Sequence, residues 1–232
     1  MNGNLQTFGS VVATPAASAV ERNRVLRNTY WLLALSMVPT VLGAWVGMAS
    51  GLAGAMSPGI GLVVFLAGAF GFMFAIEKTK DSAAGVPVLL AFTFFMGLML
   101  SRLLGTVLGL ANGTGLVMTA FAGTGAIFLG MASLSSVIKR DLSSMGKWLF
   151  IGAIMLLVAG IANFFIQSSA LMITLSVLAI GIFSAFILHD LKRVKDGYET
   201  NYITATLGVY LSLYNVFQSL LMLLGIGGGR EE

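Results

Sequence analysis

The 232-residue chain has no cysteine and one histidine, His189. Without cysteine there is no disulfide, no thiolate metal site and no cysteine nucleophile. A single histidine leaves no His-rich zinc site. Charge is scarce as well. Asp, Glu, Lys and Arg make up 9% of the residues against 57% hydrophobic ones, whereas soluble domains carry roughly 25% charged residues. Mean hydropathy is +0.94. A water-soluble fold of this size has nowhere to hide so much apolar surface, so lipid must be the solvent. P-loop, HExxH and GxSxG patterns are missing too. An intramembrane protease of the paired-aspartate type needs two acids within the membrane, and at most one, Asp190, is available. Neither an enzyme nor a bound cofactor is expected.

What is present is a series of long apolar runs. A hydrocarbon core of about 30 Å takes roughly 20 apolar residues as a helix. Seven segments qualify: about 30–50, 58–76, 85–108, 115–138, 147–167, 170–189 and 203–226. The runs are continuous rather than alternating, and open sheet edges cannot face lipid. The expected fold is therefore an all-α integral membrane protein with seven transmembrane helices. Its expected parts are a flexible cytoplasmic tail over 1–28, a helical domain over 29–227 and a short periplasmic tail over 228–232. The first 28 residues do not show a basic start followed by an apolar core, so they read as a tail that stays attached rather than a signal peptide.

The pI near 9.6 raises the question of nucleic acid, and the distribution of charge answers it. Arg22, Arg24 and Arg27 precede the first span. Lys78 and Lys80, then Lys139, Arg140 and Lys147, then Lys192, Arg193 and Lys195 follow in alternate loops. If the spans alternate, these 11 of the 13 basic residues fall on one side, and "GLAGAMSP", "GLANGTG" and "IQSSA" on the other carry none. That is the positive-inside pattern of a multi-pass protein of the bacterial inner membrane, with a cytoplasmic N-terminus and a periplasmic C-terminus. No nucleic-acid partner is expected. Arg102, near the outer end of the third span, reads as a snorkelling side chain. Asn163, in the fifth span, reads as a local hydrogen-bonder.

Within the spans, Gly43, Gly47 and Gly51 lie four apart, as do Gly105 and Gly109. Small residues at this spacing let membrane helices approach closely, either inside the bundle or at an oligomer interface. In the last span Thr204, Gly208, Ser212, Asn215 and Ser219 fall on one arc of a helical wheel. This stripe should face the interior with Leu and Val turned to lipid, serving interhelical hydrogen bonds or lining a polar cavity. His189 and Asp190 end the sixth apolar run. They mark either the exit of a helix from the membrane or a proton-sensitive latch, because a carboxylate covered by neighbouring helices resists ionisation and histidine adds a second titratable group.

Three stretches together resemble one family: "NRVLRNTYWLLALS" entering the first span, "KRDLSSMG" between the fourth and fifth, and "GYETNYITATLGVYLSLYNVFQSLLMLLG" at the end. The chain after about residue 22 is similar to the bacterial YccA-like branch of the Bax inhibitor-1 family (transmembrane Bax inhibitor motif). The resemblance implies six helices around a central seventh. It also implies a modulator of FtsH, the membrane-anchored AAA protease. Other branches of the family are proton-sensitive calcium leak channels with paired aspartates near the cytoplasmic ends of the sixth and seventh helices, which makes Ca²⁺ and H⁺ the implied ligands of an alternative function. Asp190 matches the first of those aspartates. The second falls at Ser212, in "YLSLYNVF", and serine cannot share a proton with a carboxylate. His189, Asp190, Ser212 and Asn215 remain the candidate gating residues.

Overall fold

The computed structural model describes residues 18–228. Eight helices and no strand occur among them: α1 Ala19–Ala49, α2 Leu52–Ala55, α3 Pro58–Thr79, α4 Gly85–Leu108, α5 Gly113–Val137, α6 Ser143–Ile166, α7 Ser169–Asp196 and α8 Tyr202–Gly228. All but the one-turn α2 are long and apolar enough to cross a membrane. At about 1.5 Å per residue, even the 22-residue α3 reaches about 33 Å. Each of the seven expected spans lies on one of these helices, and the protein is an all-α, multi-pass membrane protein.

Two helices run further than their apolar stretches. α1 starts at Ala19, so residues 19–28, expected as part of the tail, are helical. The cause is a capping box: the Ser18 side chain accepts from the Glu21 backbone N–H (3.2 Å), and the Glu21 carboxylate accepts from the Ser18 N–H (2.8 Å). The "SAVE" spacing is the usual signature of this cap. Arg24 and Arg27 are exposed on this extension. The remainder of the expected tail, 1–17, lies outside the described residues, as do 229–232 of the expected C-terminal tail. α7 continues past the apolar run to Asp196, so His189 and Asp190 sit inside a helix and not at its end. It stops at Gly197, in the left-handed region at φ 84°. There the Gly197 N–H bonds to the Val194 carbonyl and the Tyr198 N–H to the Arg193 carbonyl, a Schellman ending that glycine enters at least cost.

α8 is the central helix. It packs against α1, α3, α4, α5 and α7, while α6 stands outside, chiefly against α7. From Tyr202 to Ile226 no α8 residue is exposed. Val209, Val216 and Leu221 are fully buried. The expectation that Leu and Val of this helix face lipid therefore fails, because a surrounded helix has no lipid face. Lipid contact belongs to α3, α5 and α6, whose apolar windows are mostly uncovered. Phe74, Phe121 and Phe165 are examples.

The most extensive helix pair is α1 with α4, and here the glycine spacing is resolved as internal packing. A Cβ on Gly43 would stand 2.1 Å from the Phe94 carbonyl oxygen, and one on Gly97 would stand 2.0 Å from that of Thr40. Gly47 faces Ser101 in the same seam. A Cβ added at Gly51 or Gly105 would meet nothing within 4 Å, so these two take no part in it.

Candidate functional site

Polar chemistry collects at the end of the bundle that carries the basic loops. The α7–α8 connection is tied on both sides. Lys192 is buried and bonds both carboxylate oxygens of Asp196 (2.5 and 2.7 Å). Lys195 reaches across to the end of α5, donating to the Ser135 hydroxyl (2.9 Å), to Ser136 and to the Ala132 carbonyl (3.4 Å). Asn201 caps α8: its Oδ1 accepts from the Ile203 and Thr204 backbone N–H groups. Its Nδ2 donates to the Asp81 carboxylate (2.8 Å) and the Lys80 carbonyl (3.1 Å) in the α3–α4 loop. One amide thus fixes both the start of the central helix and the neighbouring loop.

His189 and Asp190 are neighbours on α7 that point into two different contacts. Their side chains meet through Nδ1 and Oδ1 at 3.1 Å, with 8% and 17% of the side-chain surface exposed. The imidazole lies on Gly146 of α6, where a Cβ would stand 2.7 Å from Nε2. The carboxylate lies on Gly208 of α8, where a Cβ would stand 2.7 Å from Oδ2. Two glycines, one on each flanking helix, therefore make room for this pair. Beside it opens a cleft of about 560 Å³, whose walls include Lys147 and Phe150 of α6, Phe186 and Arg193 of α7, and Tyr198. The Asp190–His189 pair is thus wedged between the peripheral and the central helix, at the edge of an accessible space.

Two residues of the α8 stripe bond within their own helix. Ser212 is buried, one turn beyond Gly208, and its hydroxyl donates to the Gly208 carbonyl (3.0 Å). Asn215 is half-buried and donates to the Leu211 carbonyl (2.8 Å). Both satisfy themselves on their own helix, the local bonding open to short polar side chains. Ser219 is buried and Thr204 half-buried, the latter in the Asn201 cap. The structure brings Asp190 to Gly208, the residue whose carbonyl Ser212 occupies.

The interhelical polar contacts of α8 come from residues that the stripe omitted. The Tyr210 hydroxyl lies 2.9 Å from Thr40 Oγ1 on α1. Thr40 also donates to the Ser36 carbonyl (2.8 Å), and the Tyr210 hydroxyl to the Thr93 carbonyl of α4 (3.4 Å). The Tyr214 hydroxyl donates to the Met96 carbonyl of α4 (3.3 Å), and Thr206 lies 3.4 Å from the Thr29 carbonyl of α1. Aromatic residues in an apolar run read as core. Their hydroxyls, which must find partners when buried, were the available signal. Asn163 is a local bonder, as expected, and its Oδ1 accepts from the Ser168 N–H (3.1 Å). Arg102 is exposed, as snorkelling requires.

Comparison with known proteins gives a consistent answer along the chain. A family model described as "Inhibitor of apoptosis-promoting Bax1" matches residues 22–229. The "Modulator of FtsH protease YccA" of Escherichia coli K12 is 36% identical, over 90% of this chain and 92% of that protein. An "Uncharacterized membrane protein" of Vibrio cholerae is 37% identical over 91% and 93%. A Pseudomonas aeruginosa protein is 37% identical over 92% and 96%.

Proposed function

The chain belongs to the Bax inhibitor-1 family, and from that premise we propose that it is a non-enzymatic regulator in the bacterial inner membrane that binds an FtsH-type AAA protease and restrains degradation of membrane proteins. The observation that carries this reading is its near full-length relation to a protein named as a modulator of that protease. The build of the bundle is compatible with it. The loops are short, so a partner complex meets mainly the basic end and the N-terminal segment. The basic end, fixed by Asn201, Lys195 and the Schellman turn, offers a rigid surface for docking. With the basic loops in the cytoplasm, that surface lies on the side from which a cytoplasmic protease domain works. Affinity purification of the full chain from detergent extracts tests the proposal. Co-elution of the protease, and faster turnover of its membrane substrates on deletion, are the expected results. No association and unchanged turnover would end it.

A second reading is favoured by one specific contact. Asp190 touches the central helix at Gly208 beside an open cleft, a position from which a change in its charge would be felt by α8. The proposed function is then a proton-sensitive Ca²⁺ or cation leak with one carboxylate rather than two. Liposomes holding the purified protein would release Ca²⁺ in a pH-dependent way, and Asp190→Asn would flatten that dependence. No flux at any pH removes this reading and leaves the first untouched.

A further inference from the structure

We infer that the cleft between α6 and α7 binds the phosphate of a membrane phospholipid headgroup. Its charge is the first reason. Lys147 stands in the second turn of α6, close to the N-terminal end where the helix dipole is already positive. No hydrogen bond or ion pair engages it among the described residues. Arg193 faces the same space, and its ion pair with Glu199 is long, at 3.9 Å, which leaves its hydrogen-bond donors open on that side. Against these two cations the lining holds one acid, Asp190, which is already engaged by His189. An anion held in the cleft can take charge-assisted hydrogen bonds from both side chains.

A histidine nitrogen borders the same space. The His189 side chain is more than nine-tenths buried, and its Nδ1 is spent on Asp190. Among the described residues no buried side-chain nitrogen or oxygen lacks a partner. The Nε2 atom has none and so is not fully enclosed; it lies against Gly146, and both residues line the cleft.

The apolar half of the cleft decides between a lipid and a free phosphate. Phe150 is exposed on α6, and Ile154, one turn further along the same face, is exposed as well. That face meets acyl chains. The cleft is thus polar at the Lys147–Arg193 end and continuous with the lipid-facing surface at the Phe150 end, the arrangement a headgroup with its chains attached requires. Its volume of about 560 Å³ falls within the usual range for small-molecule sites.

The test uses the full chain, purified and delipidated in a maltoside detergent. Phosphatidylglycerol, a diacylglycerol of the same acyl chains and inorganic phosphate are each titrated in, with thermal unfolding and native mass spectrometry as readouts. Phosphatidylglycerol should raise the unfolding temperature and remain bound to the protein, while diacylglycerol, which lacks the phosphate, should do neither. In Lys147→Gln/Arg193→Gln the apparent affinity should fall by at least about tenfold, the worth of one charge-assisted hydrogen bond. Should the double variant not fold, Lys147→Gln alone, at an exposed position, carries the test. Stabilisation by inorganic phosphate, lost in the variants, would keep the phosphate site and move its source to the soluble pool. Equal effects of phosphatidylglycerol and diacylglycerol, or affinity unchanged in the variants, would overturn the inference.

Discussion

Replacing Gly97 with alanine tests the seam that holds α1 to α4. The added Cβ would stand 2.0 Å from the Thr40 carbonyl oxygen, 2.8 Å from its carbon and 2.9 Å from the Ala44 nitrogen. All three are backbone atoms, so no rotamer change relieves the clash. Carbon contacts are optimal near 3.5–4.0 Å, and a gap of about 0.5–1 Å already forfeits a quarter to a half of each contact. The helices must therefore part by about 1 Å along the largest interface in the molecule. Overpacking of this kind costs about 1–3 kcal/mol, and backbone obstruction argues for the upper end. At about 2–4 °C per kcal/mol for a chain of this length, the unfolding temperature should fall by about 6–12 °C. Gly105→Ala is the internal control. It lies on the same helix with nothing within 4 Å and should gain up to about 1 kcal/mol from helix propensity. Thermal unfolding in detergent, followed by circular dichroism, measures both. Shifts of the same sign in the two variants, or an unchanged Gly97→Ala protein, would refute the reasoning.

Other perturbations follow from the hydrogen bonds. Tyr210→Phe and Thr40→Val each break the 2.9 Å contact between α8 and α1, and a double-mutant cycle should return a coupling of about 0.6–1 kcal/mol. A coupling of zero would show that the bond contributes nothing. Lys195→Met removes the tie between α7 and the end of α5. Because the chain has no native cysteine, an Ala132→Cys reporter, whose backbone carbonyl and not its side chain takes part in the contact, reads the change directly, with maleimide labelling accelerated by about tenfold, the worth of one bond to a charged group. An unchanged rate refutes the tie. Asp141 accepts from the Ser143 N–H and hydroxyl, and these bonds hold its carboxyl below the usual range. Its folded value is the lower one, so the stabilisation is present above the unfolded value of about 3.9 and fades as pH falls through the folded value. The stability difference between wild type and Asp141→Asn should vanish in acid and persist at neutral pH. A difference independent of pH would contradict the assignment.

The basic end of the bundle shows how far the residues could be read in one dimension. His189, Asp190 and the lysines after them were visible as a group, because charge after an apolar run stands out. That the helix carries on for two more turns was not visible in hydropathy, since its length is set by Gly197 and by Lys192 bonding Asp196. The partners of the pair were less legible still. Gly146 and Gly208 are two of 29 glycines, and only the approach of α6 and α8 to α7 singles them out. The stripe on α8 was legible by period, and the structure adds that Ser212 and Asn215 bond backbone carbonyls of their own helix.

The sequence by itself determined that this is a helical membrane protein with seven spans, because a bilayer demands long apolar runs and internally satisfied backbones. It also carried the family likeness, through motifs that survive as strings. Which helix is central, which glycines are seams, and which polar groups meet across helices were decided by tertiary structure alone. The reason is that lipid is as apolar as leucine. Hydrophobicity places every helix in the membrane but does not choose its neighbours, and that choice falls to close contacts such as Gly97 on Thr40 and to hydroxyls such as Tyr210.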